Sequence, residues 1–494
     1  MLVRGLGLPL VAGALCVLGF APFYAWPVSI VALALLFHVL ADSGSPLQAA
    51  LSGFAFGLGC FLTGVSWMYV SLHDYGSMPA VLAALAVFIV CAYLALFPAG
   101  AAWVAIRWGG ESAGSRLLAL TAAFVGFEWL RGWLFTGFPW LTIGTSQIPS
   151  SPLAGYAPVV GAYGTSLAVA AVAALCVAFF SSVRLSRRRY LLLAAVAAIF
   201  LGGGILKSVA WTSPAGLPVR VALLQGNVAQ ELKWRDDMRL RTLADYARMI
   251  LAARARVIVL PETALPAYLD ELPADYLKSL RDEAQRQGKE ILLGTVEREF
   301  RGRDFDYFNS VVNLNDPSQR SYQKRHLVPF GEYIPPGFKF ILAVLKIPLS
   351  DFTSGRAHPV PISADGLRFG VAICYEDIFG EEMIEQLPDA QVLLNVSNDA
   401  WFGRSLAAEQ HLQSSQMRAL ETGRWMVRAT NTGVTAAIDE KGRVVAELPV
   451  FTRGTLVQDV PPRSGRTPYV AIGNWGALAL VALLAIAAFR RRRR

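Results

Sequence analysis

Charge is scarce in this chain: 16% of its 494 residues are charged, against 54% that are apolar. Such a composition excludes a wholly soluble protein, and the length excludes a single domain. The scarcity is also uneven. Residues 1–210 carry nine of the 45 Lys/Arg and four of the 36 Asp/Glu, so they read as membrane material and most of the remainder as a soluble domain. Cysteine is sparse too. Of five, Cys16, Cys60, Cys91 and Cys176 lie within long apolar stretches, where a free thiol behaves as a small hydrophobe. The polar region holds Cys374 alone, which excludes a disulfide framework there, so that domain must be held by its core. No metal-ligand cluster, phosphate-binding glycine loop or nucleotide fingerprint is present, so neither metal nor cofactor is expected. The basic pI of about 9.4 calls for no nucleic-acid partner, because loop arginines supply much of the excess.

What is abundant is apolar sequence in long runs. Seven spans are expected at about 5–22, 26–42, 48–72, 78–106, 116–135, 155–183 and 190–209, and an eighth from Tyr469 to Phe489. Most reach the roughly 20 apolar residues that cross a bilayer core. Arg4, then Arg107 with Arg116, then Arg184 with Arg187, Arg188 and Arg189, flank spans so that all fall on one side, together with the terminal Arg490 to Arg494. The excess of basic residues in cytoplasmic loops makes that side the cytoplasm and sends the soluble domain to the opposite face. The expected organisation is a seven-helix transmembrane domain over 1–210, an exported catalytic domain over 211–468, and a last transmembrane helix with a cytoplasmic Arg tail over 469–494. Glu128 and Arg131, three apart on one face of span five, read as a structural ion pair. His73 and Asp74 are placed at the outer mouth.

From Leu217 the pattern changes to short β-rich runs at 219–224, 256–260, 290–294, 310–314, 367–374, 391–396, 426–429 and 434–439. Helical stretches are expected near 236–253, 273–287, 380–387 and 405–421. This alternation predicts an α/β layered domain, with a hairpin turning at Asp439-Glu440-Lys441-Gly442. Between 330 and 361 a Pro- and Gly-bearing insertion contains the apolar run 338–345, suited to a lid or to the lipid interface.

Cys374 ends an apolar run that breaks into Cys374-Tyr375-Glu376-Asp377, as when a buried strand delivers a side chain to the carboxyl edge of a sheet. A thiol nucleophile needs a base, and a developing oxyanion needs donors or a cation. Glu262, just after the strand Val257-Ile258-Val259-Leu260, is placed to be the base, with Glu376 as a second acidic candidate. Lys324 is the candidate cation. His326 could pair with Cys374 in a dyad, but no Gly-Ser-Cys turn surrounds the thiol.

Together these residues resemble the Glu–Lys–Cys hydrolases and transferases of the nitrilase superfamily. In that superfamily a glutamate after a strand is followed some sixty residues on by a lysine and some fifty further by a cysteine. Glu262, Lys324 and Cys374 keep that order, and Glu332 in Pro329-Phe330-Gly331-Glu332-Tyr333 matches a second glutamate. With eight spans, the whole chain is similar to the apolipoprotein N-acyltransferases of Gram-negative-type bacteria. The similarity includes Gln225-Gly226-Asn227 with Lys233-Trp234, Phe308-Asn309-Ser310, the runs 395–403 and 428–433, and in the membrane part 66–71, 128–132 and 136–140.

The resemblance implies a multi-pass α-helical membrane domain joined to an α-β-β-α sandwich, in the bacterial inner membrane. It implies that Cys374 takes an acyl chain from a membrane phospholipid as a thioester. The chain then passes to the α-amine of the diacylglyceryl-cysteine that begins an apolipoprotein. Glu262 would be the base and Lys324 the oxyanion's cation, the latter aided by a backbone N–H near Tyr375. Glu332, Tyr375 and Glu376 would support them, while Trp234, Asn309 and Trp401 would meet substrate. A monomer is expected. The alternatives are a membrane-tethered carbon-nitrogen hydrolase (amidase) with the same trio, and a transporter or sensor with an exported binding domain.

Overall fold

The central strands of the carboxyl-terminal half are apolar because both of their faces are covered. In the computed structural model, which describes residues 5–182, 187–302, 304–318, 320–335 and 351–492, the strands of that half form two six-stranded sheets. The first contains β1 (Val219–Gln225), β2 (Val257–Val259), β3 (Glu290–Arg301), β4 (Asp304–Asn313) and β5 (Ser321–Gln323). The second contains β6 (Ile362–Ala364), β7 (Leu367–Ile373), β8 (Val392–Ser397), β9 (Met426–Thr430), β10 (Ala436–Ile438) and β11 (Val444–Glu447). The chain then returns to the first sheet as β12 (Gly454–Val460). The spatial orders are β12-β1-β2-β3-β4-β5 and β11-β10-β9-β8-β7-β6. Within them β1, β2 and β3 run parallel, as do β7, β8 and β9, so each group presents its carboxyl ends along one edge.

Alternation along these strands builds the layers. Val221, Leu223, Val257 and Val259 of one sheet pack inward against Val371, Ile373, Leu394 and Val427 of the other. Their neighbours Ala222, Leu224 and Ile258 face outward onto Leu243, Tyr246 and Ile250 of helix Asp236–Ala252 and onto Leu280 and Ala284 of helix Ala274–Arg286. On the far side Ala372, Leu393 and Met426 meet Ala408, Leu412 and Ala419 of helix Ala407–Thr422. The result is the expected α-β-β-α sandwich. The expected hairpin joins β10 to β11, with the amides of Gly442 and Lys441 both donating to Asp439.

Two expectations need correction. The runs at 290–294 and 310–314 are the inner ends of one long hairpin, β3 with β4, paired from Leu292–Asn313 out to Arg301–Asp304. Its outer half is polar and partly exposed, so no apolar run marks it. The helical stretch expected over 380–387 is a single turn, Gly380–Met383, continued by a 3-10 turn, Ile384–Gln386. Of the insertion, residues 336–350, including the apolar run 338–345, lie outside the described residues.

The described chain divides into two compact units, one made of 1–69, 80–210 and 467–494, the other of 70–79 and 211–466. In the first unit, four helices are long and apolar enough to cross a membrane: Pro46–Gly64, Ala80–Trp108, Pro152–Phe180 and Arg187–Ser208. Gly7–Gly19, Trp26–Ala41 and Trp475–Arg490 are shorter apolar helices, and Ala113–Arg131 carries Arg116, Glu128 and Arg131. Arg4, Arg184 and Arg494 lie outside the described residues.

The pair expected between Glu128 and Arg131 takes another form. Glu128 Oε1 accepts from the amide of Ile143 at 2.7 Å, while Arg131 Nη1 donates to the carbonyls of Phe138 and, at 2.7 Å, Trp140. Both charges thus hold the irregular backbone after their helix, whose free polar groups need partners in an apolar setting. That loop carries Trp140, whose ring lies 5.1 Å from the ring of Trp67, so two of the sequence motifs of the membrane part meet there. The third span ends at Gly64, short of the expected residue 72. Residues Ser71–Tyr75 form a π-helical turn that belongs to the second unit, in which the His73 ring bonds the Met78 carbonyl at 2.8 Å.

Candidate active site

Glu262, Lys324 and Cys374 each follow the carboxyl end of a strand. β2 stops before Pro261, which has no amide hydrogen to continue the ladder, and Glu262 follows it. This turn passes close to β3. Ala264 donates to the Gly294 carbonyl at 2.9 Å, and a Cβ on Gly294 would lie 2.3 Å from the Pro261 oxygen. Lys324 follows β5, and its amide donates to the Asn309 carbonyl of β4 at 2.8 Å, which sets Lys324 beside Asn309. Cys374 follows β7 with φ +53, a left-handed conformation that L residues seldom adopt, and opens the 3-10 turn Cys374–Ile378. A strained residue at the head of a strand is a functional signal once its neighbours support it.

The structure brings Glu262, Lys324, Glu332 and Asn309 together. Lys324 Nζ is 2.8 Å from Glu332 Oε1 and 3.8 Å from Glu262 Oε1. The Asn309 amide bridges the two carboxylates, donating to Glu262 at 2.7 Å and to Glu332 at 3.1 Å. The amide of Asn398 donates to the other oxygen of Glu262 at 2.7 Å. Asn309, expected to meet substrate, uses its nitrogen in this way, while its Oδ1 is buried with no hydrogen-bond partner.

Burial sets the protonation states. It pushes the half-buried Cys374 thiol well above its ordinary range, and the Glu262 carboxylate adds to this, with Lys324 pulling the other way. Burial also works to lower Lys324, but the Glu332 and Glu262 carboxylates outweigh it and hold the group above the ordinary lysine range. At rest, then, the site holds a protonated thiol next to a fixed ammonium, and a thiolate forms only by passing its proton to a base.

Glu376 is a strap. Its Oε1 accepts from the amides of Arg325 and His326 at 2.7 and 3.1 Å, and its Oε2 from Ile373 N and Tyr322 Oη, each at 2.8 Å. It therefore ties the lysine-bearing end of one sheet to the cysteine-bearing end of the other. Tyr375 is buried, its ring edge-on to Phe379 at 5.2 Å. His326 is engaged elsewhere, with Nδ1 2.7 Å from Glu382 and the ring stacked on Phe379 at 3.7 Å, so a thiol–imidazole dyad is not formed.

Trp234 lies half-buried in the turn before helix Asp236–Ala252, and Trp401 half-buried in the 3-10 turn Asp399–Phe402. The Trp401 carbonyl accepts from Ser71 Oγ at 2.8 Å, and its ring meets Tyr75 edge-on at 6.2 Å.

Sequence reasoning assigned no role to two groups. Lys233 is buried and donates to Thr263 Oγ1 at 2.6 Å and to the Glu262 carbonyl at 3.3 Å, with burial lowering its pKa to about 8 against the pull of Glu262. Beneath Cys374 lies a second cluster of Asp377, Asp399, His411 and Arg428, all fully enclosed. Its signal was available. Arg428 interrupts the apolar strand Met426–Thr430, and a charge in a covered strand demands partners.

Comparison with known proteins follows the same division. Residues 220–469 match the carbon-nitrogen hydrolase family, which gives the class of the sandwich domain. Residues 12–175 match the apolipoprotein N-acyltransferase N-terminal domain. The apolipoprotein N-acyltransferase of Nitrosomonas europaea is 49% identical over 98% of this chain and 97% of its own, and that of Methylococcus capsulatus 45% identical over 100% and 97%. Among solved structures, an amidase from Nesterenkonia sp. AN1 is 19% identical over 50% of this chain and 92% of its own, with a TM-score of 0.36. The chain belongs to the apolipoprotein N-acyltransferase family.

Proposed function

We propose that this protein moves an acyl chain from a membrane phospholipid to the α-amine of the N-terminal diacylglyceryl-cysteine of apolipoproteins, by way of a thioester on Cys374. Glu262 accepts the thiol proton as Sγ adds to the phospholipid ester carbonyl. Lys324 faces the oxyanion, and the proton returns from Glu262 to the departing lysophospholipid oxygen. The neutral amine then adds to the thioester, Glu262 takes its proton and passes it to Sγ, and the sulfur leaves as the thiol with the amide formed. The observation that carries this reading is the enclosed ammonium of Lys324 between two carboxylates beside a thiol kept protonated by burial. Two bilayer-anchored substrates also account for the membrane helices. In this reading the apolar helices span the inner membrane eight times, with both termini cytoplasmic and the sandwich domain periplasmic, and a single chain suffices. Trp234 and Trp401 contact lipid.

Intact-protein mass spectrometry after incubation with phospholipid and no acceptor tests the mechanism. Wild-type protein should gain the mass of one acyl chain, and Cys374→Ala should gain none while remaining folded. An acylated Ala variant that still transfers would sink the thioester.

A further inference from the structure

A buried cluster holds the nucleophile from beneath. The Cys374 carbonyl oxygen accepts from Asn395 Nδ2 at 3.1 Å and lies 3.1 Å from His411 Nε2. That imidazole nitrogen also faces Asp377 Oδ1 at 2.9 Å; both neighbours are oxygens, so Nε2 carries the hydrogen. On the other side of the ring Nδ1 is 3.1 Å from Asp399 Oδ1 and 2.8 Å from Arg428 Nη2. Asp399 accepts from Ser397 Oγ at 2.7 Å. Arg428 closes the cluster with bonds to Asp399 at 2.8 Å, Asp377 at 3.2 Å and Asn395 at 2.9 Å.

Four ionisable side chains in a covered interior are a poor way to gain stability. Well-packed apolar residues of the same volume commonly do as well or better. Two carboxylates here face one guanidinium and one imidazole, and the His411 pKa is raised to about 9: burial and Arg428 lower it, but Asp377 and Asp399 outweigh them. What the cluster gains instead is geometry. Cys374 sits at φ +53, a conformation that costs energy and persists only when its surroundings over-determine it.

We propose that His411 is a positioning residue for the nucleophile: together with Asn395 it grips the Cys374 carbonyl, so that the strained cysteine keeps its sulfur aimed at the reacting carbonyl. This rests on Cys374 being the nucleophile. His411 touches no substrate, so its effect falls on turnover and leaves lipid affinity alone.

The test is single-turnover acylation of the full-length enzyme in phospholipid vesicles, followed by intact mass spectrometry, for wild type, His411→Phe and His411→Gln. A displacement of the sulfur by about 1 Å costs roughly 100-fold. His411→Phe should therefore acylate about 100-fold more slowly at unchanged KM for phospholipid. His411→Gln, which keeps an N–H donor at similar reach, should recover most of that loss. A Phe variant that acylates at the wild-type rate overturns the proposal, as does a Gln variant no faster than Phe. If the Phe variant does not fold, Asn395→Leu decides. It removes the other side-chain donor to the Cys374 carbonyl, so acylation should fall about fivefold at unchanged KM for phospholipid. A rate equal to wild type in that variant overturns the proposal. Wild-type enzyme that forms no adduct on Cys374 would instead remove the nucleophile reading itself.

Discussion

Lys324 is enclosed by the side chains it serves, with 1% of its side chain exposed and Glu332 at 2.8 Å. An ammonium is a compact point charge, whereas a guanidinium is a planar fork that needs more width. Lys324→Arg keeps the charge but cannot fit between Glu332, Glu262 and Asn309 without displacing one of them. Acylation in single-turnover kinetics is expected to fall by roughly 10²–10³-fold, the loss typical for a misplaced oxyanion donor. A variant near the wild-type rate would place Lys324 away from the reacting centre. At this scale the sequence revealed the residues whose types are chemically unusual for their setting, a lone polar-region thiol and a carboxylate after an apolar strand. It assigned no role to Lys233 or His411, because a lysine in a polar run and a histidine on a helix look ordinary until the fold buries them. Glu128 and Arg131 show the same limit. Spacing placed them on one helical face, but only the path of the following loop shows that each binds backbone.

Elements turn these side chains into a site by ending where they do. The Glu262 turn lies against β3 at Gly294, where a Cβ would meet the Pro261 oxygen at 2.3 Å and the Glu262 Cα at 2.9 Å. Both obstacles are backbone, so they can yield only by moving the turn. Gly294→Ala should destabilise the sandwich domain by about 1–3 kcal/mol, the usual cost of overpacking, and should also slow acylation by shifting Glu262. Thermal unfolding and single-turnover rates measure the two effects, and wild-type values of both would show that the turn is not fixed by this contact. Covered strands such as β1, β2, β7 and β8 were legible because an uninterrupted apolar run has few other uses in a polar domain. The edge strand β12 was not, and β11 was expected only as the second arm of the hairpin. Half-exposed side chains alternate along them, so no hydrophobic run announces them, and pairing across long stretches of sequence decides their place. The outer half of the β3–β4 hairpin was hidden for the same reason.

At the scale of the whole molecule, the order of catalytic motifs along the chain was visible, whereas the span count rested on hydropathy alone. Among the described residues, four helices meet the length and apolarity of a crossing. The remaining apolar helices are short, or in the case of Ala113–Arg131 carry charges that hold neighbouring backbone. Orientation therefore depends on the arginines. Arg107 with Arg116, Arg187 to Arg189, and the run from Arg490 share a side only if seven crossings precede the sandwich domain and one follows it. Reporters fused at Ala274 and after Ser464 should then read as extracytoplasmic, and one fused after Arg494 as cytoplasmic. Protease added to spheroplasts should digest the sandwich domain. Its protection would shift the count by one crossing and scatter the arginines over both faces. Because the proposed acceptor presents its free amine at the outer leaflet, a protected domain could not reach it, and the acyl transfer proposed here would fall with the topology.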